Sequence, residues 1–396
     1  MKDIYIYVNV PFCLKRCNYC YCTLAFLDDD LYSWKNNSEL YVKSILKEIS
    51  LFDGKNIKCL GISFGGGTPS LLEIPQIESI FNAAMKCCDS IKEKAQISIE
   101  IFPGTKSLNE LKYLNSIGFN RASIGAQSFN DNELKKMGRP HDRKAIYKTY
   151  DDLCAAGFDN INLDIMFGLP IGNLSSWMKT VDEALRLKPA HLTAYYWFIT
   201  NGCNFFYQIK NGVMKLTSRE ECIKQYKYVI EKAQENGLNF YYDYNFCRAD
   251  EYEYAIERDM FRHFPVKGFG PNAWSQDGRL KITNSQNLQS YFINPFDRTI
   301  RKFPVDVYML HTLMYPEGML FSEFERIYNI KWAPRLLSAK FRRSFISWID
   351  NRLLNIDDVG MRFKEKTWEQ SAIYLAEFQT KAWYCPEEEL VPIINR

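Results

Sequence analysis

The chain has 396 residues, of which 46% are hydrophobic and 24% charged, which is enough for one large core and a smaller one. Its net charge of +3 is spread over mixed acidic and basic residues, without the long basic runs that are typical of a nucleic-acid-binding surface. The start has no signal-peptide pattern, and no apolar stretch is long enough to span a bilayer, so we expect a soluble, cytoplasmic protein with neither a nucleic-acid nor a membrane partner.

The first two-thirds of the chain repeat one pattern. A short β-branched or aromatic run is followed by a polar or glycine-rich turn and then by a segment with helical periodicity. The predicted strands are 4–10, 59–64, 97–101, 121–125, 160–167 and 191–198. The predicted helices between them are 40–51, 77–87, 108–117, 145–156 and 177–186. Six successive βα units predict a parallel sheet, because each parallel connection needs a crossover that can hold a helix.

Unusual residues lie near the carboxyl ends of several predicted strands. Cysteines follow the first strand, residues 65–69 follow the second, Glu100 ends the third, Gln127 follows the fourth and Asp164 lies late in the fifth. An open doubly wound sheet would fit the βα pattern as well. Polar groups from many strand ends converge on one mouth only if the sheet curls, so we predict an α/β fold with a partial (β/α)6 TIM-type barrel.

The predicted barrel domain extends to residue 295. Its further segments are a helix at 222–236, an aromatic strand at 240–246 and a glycine-rich turn at 268–274. Beyond residue 295 the pattern becomes mostly helical. We therefore predict a barrel domain at 1–295 and a mostly helical carboxy-terminal domain at 300–396, with a short β-wing near 354–362.

Four cysteines lie within ten residues, in the segment CLKRCNYCYC. Cys13, Cys17 and Cys20 have the spacing C-x3-C-x2-C, and Cys22 follows two residues later. In a reducing compartment such crowding indicates a metal site rather than disulfides. Three thiolates on one loop can hold three irons of a [4Fe–4S] cubane and leave the fourth iron open to a ligand. Zinc is the alternative, but zinc sites usually take ligand pairs from two places, and no second Cys/His pair with that spacing is evident.

At this motif the sequence resembles the radical S-adenosylmethionine (SAM) superfamily. The similarity continues through YVNVPFC, GISFGGGTPS, ASIGAQSFND, GRPH and NLDIMFGLP, in the order and spacing of the branch that contains oxygen-independent coproporphyrinogen oxidase and HemW-like proteins. It is strong over residues 4–200 and looser to about residue 290. In the carboxy-terminal segment it is limited to length and general pattern.

The resemblance implies a cofactor and a chemistry. Cys13, Cys17 and Cys20 would bind a [4Fe–4S] cluster, whereas Cys22 would not. The free iron would bind SAM through its amino and carboxylate groups, and one electron would cleave SAM to a 5′-deoxyadenosyl radical that abstracts hydrogen from a substrate. The resemblance also implies a low-potential electron donor such as flavodoxin or ferredoxin.

A run of small residues after the second predicted strand is a candidate SAM contact. Glycines let the backbone approach a ligand closely, although a plain tight turn would use them too. The resemblance assigns this run to SAM binding, through Gly65, Gly66, Gly67 and Thr68. It also implies that a set of polar residues contacts one or other of two SAM molecules: Tyr7, Glu100, Gln127, Arg139 and Asp164. Charged side chains at buried strand ends need partners, which favours ligand binding by the group as a whole.

The chain has only four histidines. His141, in GRPH, is a candidate acid–base residue, although a single histidine beside a proline more often has a structural hydrogen-bonding role. HemW-like proteins carry a His-Asn-x-x-Tyr-Trp motif, and the corresponding region here, 246–257, contains no histidine. This difference disfavours a heme carrier, with His263 left as the candidate heme ligand.

Three functional hypotheses follow. The first is a class C-type radical SAM methyltransferase that uses two SAM molecules for methyl or methylene transfer to a small molecule or peptide, with the aromatic runs at 195–199 and 240–246 either lining its pocket or simply packing within strands. The second is porphyrin or heme modification of the coproporphyrinogen oxidase type. That chemistry calls for a cluster of basic residues at the mouth, and the sequence does not show one. The third is a HemW-like heme carrier.

Overall fold

A twelve-stranded sheet lies at the centre of the protein in the computed structural model, which describes residues 1–20, 25–26 and 31–364. In chain order the strands are β1 (Lys2–Val10), β2 (Phe12–Cys13), β3 (Ala25–Phe26), β4 (Ile57–Gly66), β5 (Ser90–Ile101), β6 (Arg121–Gln127), β7 (Asn160–Phe167), β8 (His191–Tyr196), β9 (Asn239–Tyr242), β10 (Asn245–Cys247), β11 (Val266–Phe269), β12 (Trp274–Asp277), β13 (Leu280–Asn284), β14 (Arg298–Lys302), β15 (Met319–Leu320), β16 (Leu354–Ile356) and β17 (Gly360–Phe363).

The α-helices cover the sheet and build the carboxy-terminal part. They are α1 (Leu31–Ser50), α2 (Ile74–Lys86), α3 (Leu108–Ser116), α4 (Asp131–Lys136), α5 (Arg143–Ala155), α6 (Leu174–Arg186), α7 (Asn204–Lys210), α8 (Arg219–Glu235), α9 (Ala255–Phe261), α10 (Leu288–Ile293), α11 (Val305–Thr312), α12 (Phe321–Tyr328) and α13 (Ala339–Asp350). Among these helices, none has the length and apolarity that a membrane crossing requires.

Six strands form the partial barrel. The neighbours β1, β4, β5, β6, β7 and β8 run parallel in this order, and each successive pair is connected through at least one helix. The connections carry the chain back across one face of the sheet, as parallel pairing requires. The predicted α/β partial (β/α)6 barrel is therefore confirmed, and strand β7 has the bounds that the sequence predicted.

Helix α6 shows why the predicted helices form. Its buried residues Trp177, Val181 and Ala184 recur three or four positions apart, so one face of the helix packs on the sheet. Asn173 caps its start, because the side-chain oxygen accepts a hydrogen bond from the backbone N–H of Ser176 at 2.9 Å. Capping and the apolar stripe together fix this helix outside β7 and β8.

The sheet continues beyond the barrel on both sides. Strand β11 pairs parallel to the free side of β1, and β12, β13 and β14 follow in antiparallel order. At the other end, β10 and β9 add antiparallel to β8. The sequence-based prediction of a single strand at 240–246 is wrong. Asp243 adopts φ +46° and turns the chain between β9 and β10. Aspartate tolerates this left-handed conformation better than most residues.

A buried carboxylate fastens helix α1 to the sheet extension. The Glu48 side chain is fully buried, and its Oε2 accepts hydrogen bonds from the backbone N–H of Gly270 at 2.9 Å and from Tyr291 Oη at 2.8 Å. Its Oε1 accepts from Asn284 Nδ2 at 3.0 Å and from Arg298 Nη2 at 2.8 Å. Because a buried charge is costly unless it is paired and hydrogen bonded, this network holds the two segments in one arrangement.

The carboxy-terminal part contains helices α11, α12 and α13 and a three-stranded sheet of order β15-β17-β16. The helices and the short sheet agree in kind with the sequence prediction for this region. Strand β14 pairs with β13, so the central sheet continues past residue 295. The division into domains at 1–295 and 300–396 stays a prediction, and residues 365–396 lie outside the described part.

Candidate functional site

A cavity of about 620 Å³ opens at the carboxyl ends of the parallel strands. Its walls include Gly66 from the end of β4, Glu100 from the end of β5, Gln127 from the end of β6 and Tyr196 from the end of β8. This volume lies in the range of small-molecule and cofactor sites, and the carboxyl ends of barrel strands are where such sites form. The cavity is therefore the candidate active site.

The three cysteines of the C-x3-C-x2-C motif all line this cavity. Cys13 and Cys17 are buried, and the Cys13 sulfur lies 3.3 Å from the hydroxyl of Thr68. The backbone N–H of Cys20 donates to the carbonyl of Cys17 at 3.1 Å, which makes the tight turn of the loop. Burial raises the pKa of the Cys17 thiol, and the nearby Arg139 charge opposes that rise.

The donor set of this loop fits an iron–sulfur cluster. Across the described parts of the chain, no three His, Cys, Asp or Glu side chains converge closely enough to hold a single metal ion. A cubane spreads its thiolates over separate iron corners and does not need that convergence. Three thiols that face one cavity would occupy three iron corners and leave the fourth corner for another ligand. Cys22, predicted not to bind iron, lies outside the described residues.

The glycine loop after β4 is held by close backbone packing. A Cβ atom on Gly67 would lie 2.3 Å from the backbone carbonyl oxygen of Phe12, and Gly66 adopts a φ of +104°. Side chains at these positions would therefore displace the loop. Gly66, Gly67 and Thr68 line the cavity, whereas Gly65 lies behind them.

Arg139 connects the end of β6 to the cysteine loop. Its Nη2 donates to the carbonyl of Gly125 at 2.5 Å, and its Nη1 donates to Tyr19 Oη at 3.3 Å and lies 3.9 Å from the Cys17 sulfur. The guanidinium also lies over the ring of Phe102, 4.1 Å from its centroid. Arg139, which the family resemblance assigns to SAM binding, is thus part of the wall that supports the loop of Cys13, Cys17 and Cys20, here called the cluster loop.

Gln127 lines the cavity in a strained backbone conformation. Its φ is +68°, which is uncommon for a residue other than glycine, and its side-chain oxygen accepts a hydrogen bond from Tyr195 Oη at 2.5 Å. Strain of this kind persists where the surrounding structure fixes it, often at a binding site. The conformation aims the amide into the cavity between β6 and β8.

Carboxyl groups gather at the inner end of the cavity. Burial, and after it the charges of Asp164 and Glu257, raises the pKa of Glu100 to about 8. Burial likewise raises the pKa of Glu257 to about 7, with Asp164 adding to the rise, and it raises the pKa of Asp243. Asp164 is held in place by hydrogen bonds, since its Oδ2 accepts from Ser123 Oγ at 2.9 Å. The raised pKa values of Glu100 and Glu257 lie close to neutral pH, so these two carboxyl groups are present partly in their protonated forms there.

Two of these acids, Glu257 and Asp243, escaped the sequence analysis. Both come from the extension after the barrel, on α9 and on the turn between β9 and β10, where the family resemblance is looser. No local pattern near either residue indicates a site. Their places in the cavity follow from the way the extension folds over the strand ends, which sequence spacing does not reveal.

A buried cation lies among the acids. Arg121, at the start of β6, is 2% exposed, lines the cavity and lies over the ring of Tyr254 at 4.1 Å. Within the described ranges it forms no ion pair, since no carboxylate oxygen is within 4.0 Å of its nitrogens. Lys15 and Arg139 line the same cavity. The cavity is thus lined by three cations that come from distant parts of the chain, although Arg121 lies at the start of β6 and Arg139 contacts Gly125 near its carboxyl end.

A histidine network supports the floor of the cavity. The Nδ1 of His191 lies 2.6 Å from Asn162 Oδ1, and its Nε2 lies 2.7 Å from Tyr241 Oη. Asn162 in turn donates to Asp164 Oδ1 at 2.7 Å. Burial holds the pKa of His191 well below its usual range, so the ring is neutral and serves as a relay of hydrogen bonds.

The other candidate histidines lie outside the cavity wall. His141 is buried, and its ring packs edge-on against Phe102 with centroids 5.1 Å apart. Burial, helped by the Arg139 charge, lowers the pKa of His141 to about 3. Its acid–base role stays a prediction. His263 is buried as well, with Nδ1 3.1 Å from the carbonyl of Gly278 and the ring against Phe303.

Aromatic side chains form much of the remaining wall. The run at 195–199 contributes Tyr195, Tyr196, Trp197 and Phe198 to the cavity, and the run at 240–246 contributes Tyr244. Tyr7, predicted as a SAM contact, faces the cavity from β1. The cavity wall thus combines flat aromatic surfaces with charged side chains.

The chain is similar to known proteins over most of its length. Residues 7–184 match the radical SAM superfamily. The chain is 30% identical over 289 residues to the heme chaperone HemW of Synechocystis sp., covering 72% of this chain and 69% of that protein. It is 29% identical to HemW of Lactococcus lactis, covering 61% of each chain, and 27% identical to the oxygen-independent coproporphyrinogen III oxidase of Synechocystis sp., covering 74% of this chain and 65% of that one.

One solved structure resembles the whole fold. The coproporphyrinogen III oxidase of Escherichia coli, described as a radical SAM enzyme, superposes with a TM-score of 0.75 and 20% identity, covering 96% of this chain and 91% of the other. At this level of identity the likeness concerns the fold. The chain spans about three fifths of the Lactococcus relative, 61% of its length.

Proposed function

Because the chain belongs to the radical SAM superfamily, in the branch that contains HemW and coproporphyrinogen III oxidase, we propose that it is an enzyme that cleaves SAM reductively and removes a hydrogen atom from a substrate in the barrel cavity. Proteins of this superfamily use a [4Fe–4S] cluster and SAM, which together supply a 5′-deoxyadenosyl radical. The observation that carries the proposal is the convergence of Cys13, Cys17 and Cys20 on the same cavity as Gly66 and Thr68.

The cluster loop would hold the iron–sulfur cluster. The three cysteine sulfurs would hold three irons, and the loop keeps its shape through the Cys20–Cys17 turn and the Thr68 contact with Cys13. The positive charge of Arg139 beside Cys17 favours the thiolate form that iron binding needs. The loop and its cation are thus arranged for a negatively charged cluster.

The neighbouring strand ends would hold SAM. Gly66 and Gly67 expose backbone groups to the cavity, and Glu100 and Asp164 supply carboxyl oxygens to amino or ribose hydroxyl donors. We extend the proposal to a second SAM molecule near Gln127, whose side chain lines the cavity and whose backbone is held in a strained conformation. The two-SAM arrangement rests on the family resemblance and on the spread of these side chains around the wall.

For the substrate we propose a tetrapyrrole-like ring rather than the acceptor of a methyl transfer. The curated relatives are heme chaperones and coproporphyrinogen III oxidases, so porphyrin chemistry is better supported than class C methyl or methylene transfer. The aromatic wall suits a flat apolar ring. Lys15, Arg121 and Arg139 supply the basic groups that propionate side chains require.

Product analysis tests this function. Anaerobically reconstituted protein is incubated with dithionite, SAM and either coproporphyrinogen III, heme or buffer. We expect 5′-deoxyadenosine in amounts that rise with the tetrapyrrole, together with a decarboxylated or opened tetrapyrrole. Formation of S-adenosylhomocysteine with no tetrapyrrole change would replace this substrate by a methyl acceptor. A fully loaded cluster that yields no 5′-deoxyadenosine with any substrate would contradict the enzyme assignment.

Heme carriage is the second candidate, favoured by the HemW relatives. A carrier would bind heme tightly without consuming SAM. The cavity offers Tyr19, Tyr195 and Tyr254 as oxygen ligands, whereas His263 lies away from it. A one-to-one hemin complex that is retained in a His263→Ala variant, with no SAM cleavage under turnover conditions, would favour the carrier over the enzyme.

A further inference from the structure

A groove of about 450 Å³ lies against the cluster loop, apart from the barrel cavity. Asn18 lines this groove, whereas its neighbours in the chain, Cys17 and Tyr19, line the cavity. The loop therefore separates the two spaces. Because Asn18 follows Cys17 directly, a molecule in the groove contacts the chain one peptide unit away from a proposed cluster ligand, without entering the cavity.

Hydrogen bonds on both sides fix Asn18 in the wall of the groove. Its backbone N–H donates to the carbonyl of Met137 at 2.8 Å, and its side-chain Nδ2 donates to the carbonyl of Lys136 at 2.7 Å. On the other side, its carbonyl accepts from the backbone N–H of Phe205 at 2.8 Å, and its Oδ1 accepts from Asn204 Nδ2 at 3.0 Å. The end of α4 and the start of α7 are thus joined to the cluster loop in one surface.

The proposed function needs a route for one electron into the cluster for each SAM that is cleaved. In that function, SAM and the substrate fill the cavity on one side of the cluster loop. An electron-donating protein therefore has to approach the loop from its other side, where the groove lies. The role of the groove thus rests on the proposed function, to which it adds the site of electron delivery.

The chain around the groove is positively charged. Positions within two residues of those that line it carry five basic residues and no acidic one. The basic residues are all exposed: Arg16, Lys135, Lys136, Lys210 and Lys215. Within the described ranges, Lys135, Lys136 and Lys215 have no carboxylate oxygen within 4.0 Å of their ammonium nitrogens. These charges are therefore available to an acidic partner, whose approach they would steer.

Two carboxylates near the groove are held by internal hydrogen bonds. The buried Glu133 lies against Gly172, and its Oε2 accepts from Ser128 Oγ at 2.6 Å. Oε1 of Glu221 accepts from the backbone N–H of Leu174 at 2.7 Å. Both carboxylates are engaged by donors of the protein itself, so the exposed cations dominate the charge of this surface.

The lining of the groove between these cations is largely apolar. Ile171, Phe205 and Met214 line it, and Val213, beside Met214, is 74% exposed. An apolar centre with a basic rim fits a partner that has an acidic rim and a flat apolar centre, and the exposed edge of a protein-bound flavin is such a centre. We propose that the groove docks a small acidic flavoprotein that reduces the cluster. The partner's reduced flavin loses one electron, the oxidised cluster gains it, and no bond forms or breaks.

Cross-linking of the wild-type protein tests the site. Cluster-loaded full-length protein is mixed anaerobically with purified flavodoxin, an acidic flavin carrier, and treated with a carbodiimide that joins ammonium to carboxylate groups. After digestion, mass spectrometry should find flavodoxin peptides on Lys135, Lys136 or Lys215. Cross-links confined to lysines elsewhere, such as Lys112 on α3, or their complete absence, would overturn the proposal.

Charge reversal gives a second test. The double variant Lys136→Glu, Lys215→Glu changes two exposed side chains and keeps the backbone carbonyl that Asn18 contacts. It should bind flavodoxin about tenfold more weakly at low salt, because reversed rim charges no longer steer the partner, and the difference should shrink at high salt. The matched control is Lys86→Glu, Lys112→Glu, at exposed positions of α2 and α3, and it should bind as the wild type does. Equal affinities of the first double variant and the wild type would refute the docking site.

Dithionite separates a failure of docking from a failure of the proposed function. It is a small reductant that needs no docking surface. The Lys136→Glu, Lys215→Glu variant should therefore form 5′-deoxyadenosine at the wild-type rate with dithionite, and about tenfold more slowly with reduced flavodoxin. A wild type that forms none with dithionite would refute the proposed function, and the cross-links and affinities would still decide the docking site. Cross-links of a ferredoxin, and not of flavodoxin, to Lys136 would overturn the flavoprotein assignment.

Discussion

The guanidinium of Arg139 lies 3.9 Å from the sulfur of Cys17, across 122 residues of sequence. The same side chain donates to the carbonyl of Gly125 at 2.5 Å, so the end of β6 and the cysteine loop are joined through one residue. Arg139 therefore positions the loop and places a positive charge beside Cys17. It connects the strand that carries Gln127 to the proposed cluster ligands.

Cluster loading should depend on three cysteines. We expect reconstituted wild-type protein to contain about four irons and four sulfides per chain, and the Ala variants of Cys13, Cys17 and Cys20 to lose the cluster. Cys22→Ala and the surface control Cys154→Ala should retain it. Iron and sulfide analysis with absorption spectra measures this. A Cys20→Ala protein that keeps its cluster while Cys22→Ala loses it would reverse the ligand assignment.

Arg139→Gln should impair cluster assembly in a pH-dependent way. Burial raises the pKa of the Cys17 thiol, and the Arg139 charge lowers it. Removal of the charge therefore raises that pKa further. Assembly in the variant should therefore require a higher pH than in the wild type, and Arg139→Lys should recover part of the difference. Reconstitution yield is measured across a pH series. Arg143→Gln, which changes an exposed arginine on α5, is the control and should match the wild type.

The pKa of Glu100 gives a stability prediction for the protein without cofactors. Because its folded pKa of about 8 lies above the unfolded value near 4.3, the folded state binds more protons between these values. Stability therefore falls as pH rises from about 4.3 and stops falling above about 8. Glu100→Gln should flatten this fall and stabilise the protein by about 1–3 kcal/mol at alkaline pH.

The control for Glu100 is Glu110, whose pKa shifts in the opposite direction. Despite partial desolvation, hydrogen bonds from Ser107 and Lys106 lower the pKa of Glu110. The contribution of Glu110 to stability is present above its unfolded pKa and is lost as pH falls. Glu110→Gln should therefore leave unchanged the fall in stability at alkaline pH. Urea unfolding at several pH values measures both variants. An equal alkaline fall in Glu100→Gln and the wild type would contradict the prediction.

Glu48→Ala should be strongly destabilising. The substitution leaves the half-buried Arg298 and Lys267 charges without the fully buried carboxylate that pairs with them at 2.8 and 3.6 Å. Loss of one partner from a buried pair costs about 3–5 kcal/mol. Chemical unfolding measures the free energy, with Glu39→Ala on the exposed face of the same helix as control. A loss no larger than that of the control would show that the network is not a stabilising element.

SAM should bind with a stoichiometry of two. Calorimetric titration of the cluster-loaded protein should saturate at two molecules per chain, and Gln127→Ala should remove the site that does not depend on the cluster. Asn130→Ala, in the helix cap after β6, offers a nearby control outside the cavity wall. Saturation of the wild type at one SAM, unchanged by Gln127→Ala, would leave a single-SAM enzyme.

The strand and helix pattern of the barrel could be predicted because its signals are local. Strand β7, NINLDIMF, alternates polar and apolar residues before an apolar end, and helix α6 has an apolar stripe with a cap at Asn173. The cysteine motif and the glycine loop are contiguous as well. Glu257 and Asp243 reach the cavity only through the fold of the extension, and the short strands β11 to β14 carry four or five residues each, too few for a clear period. Long-range convergence is what the sequence did not reveal.

The position of β1 has a consequence for how the protein is made. Strand β1 lies between β4 and β11, and its partner residues on β11 are Val266 to Phe269. At about 5–20 residues per second, a ribosome needs roughly 13–50 s to reach that strand after β1 has emerged. Throughout this interval one edge of the nascent barrel presents unpaired backbone groups to other chains. The exposed edge of β1 is thus a route to aggregation during synthesis, and slower elongation lengthens the time for which it stays open.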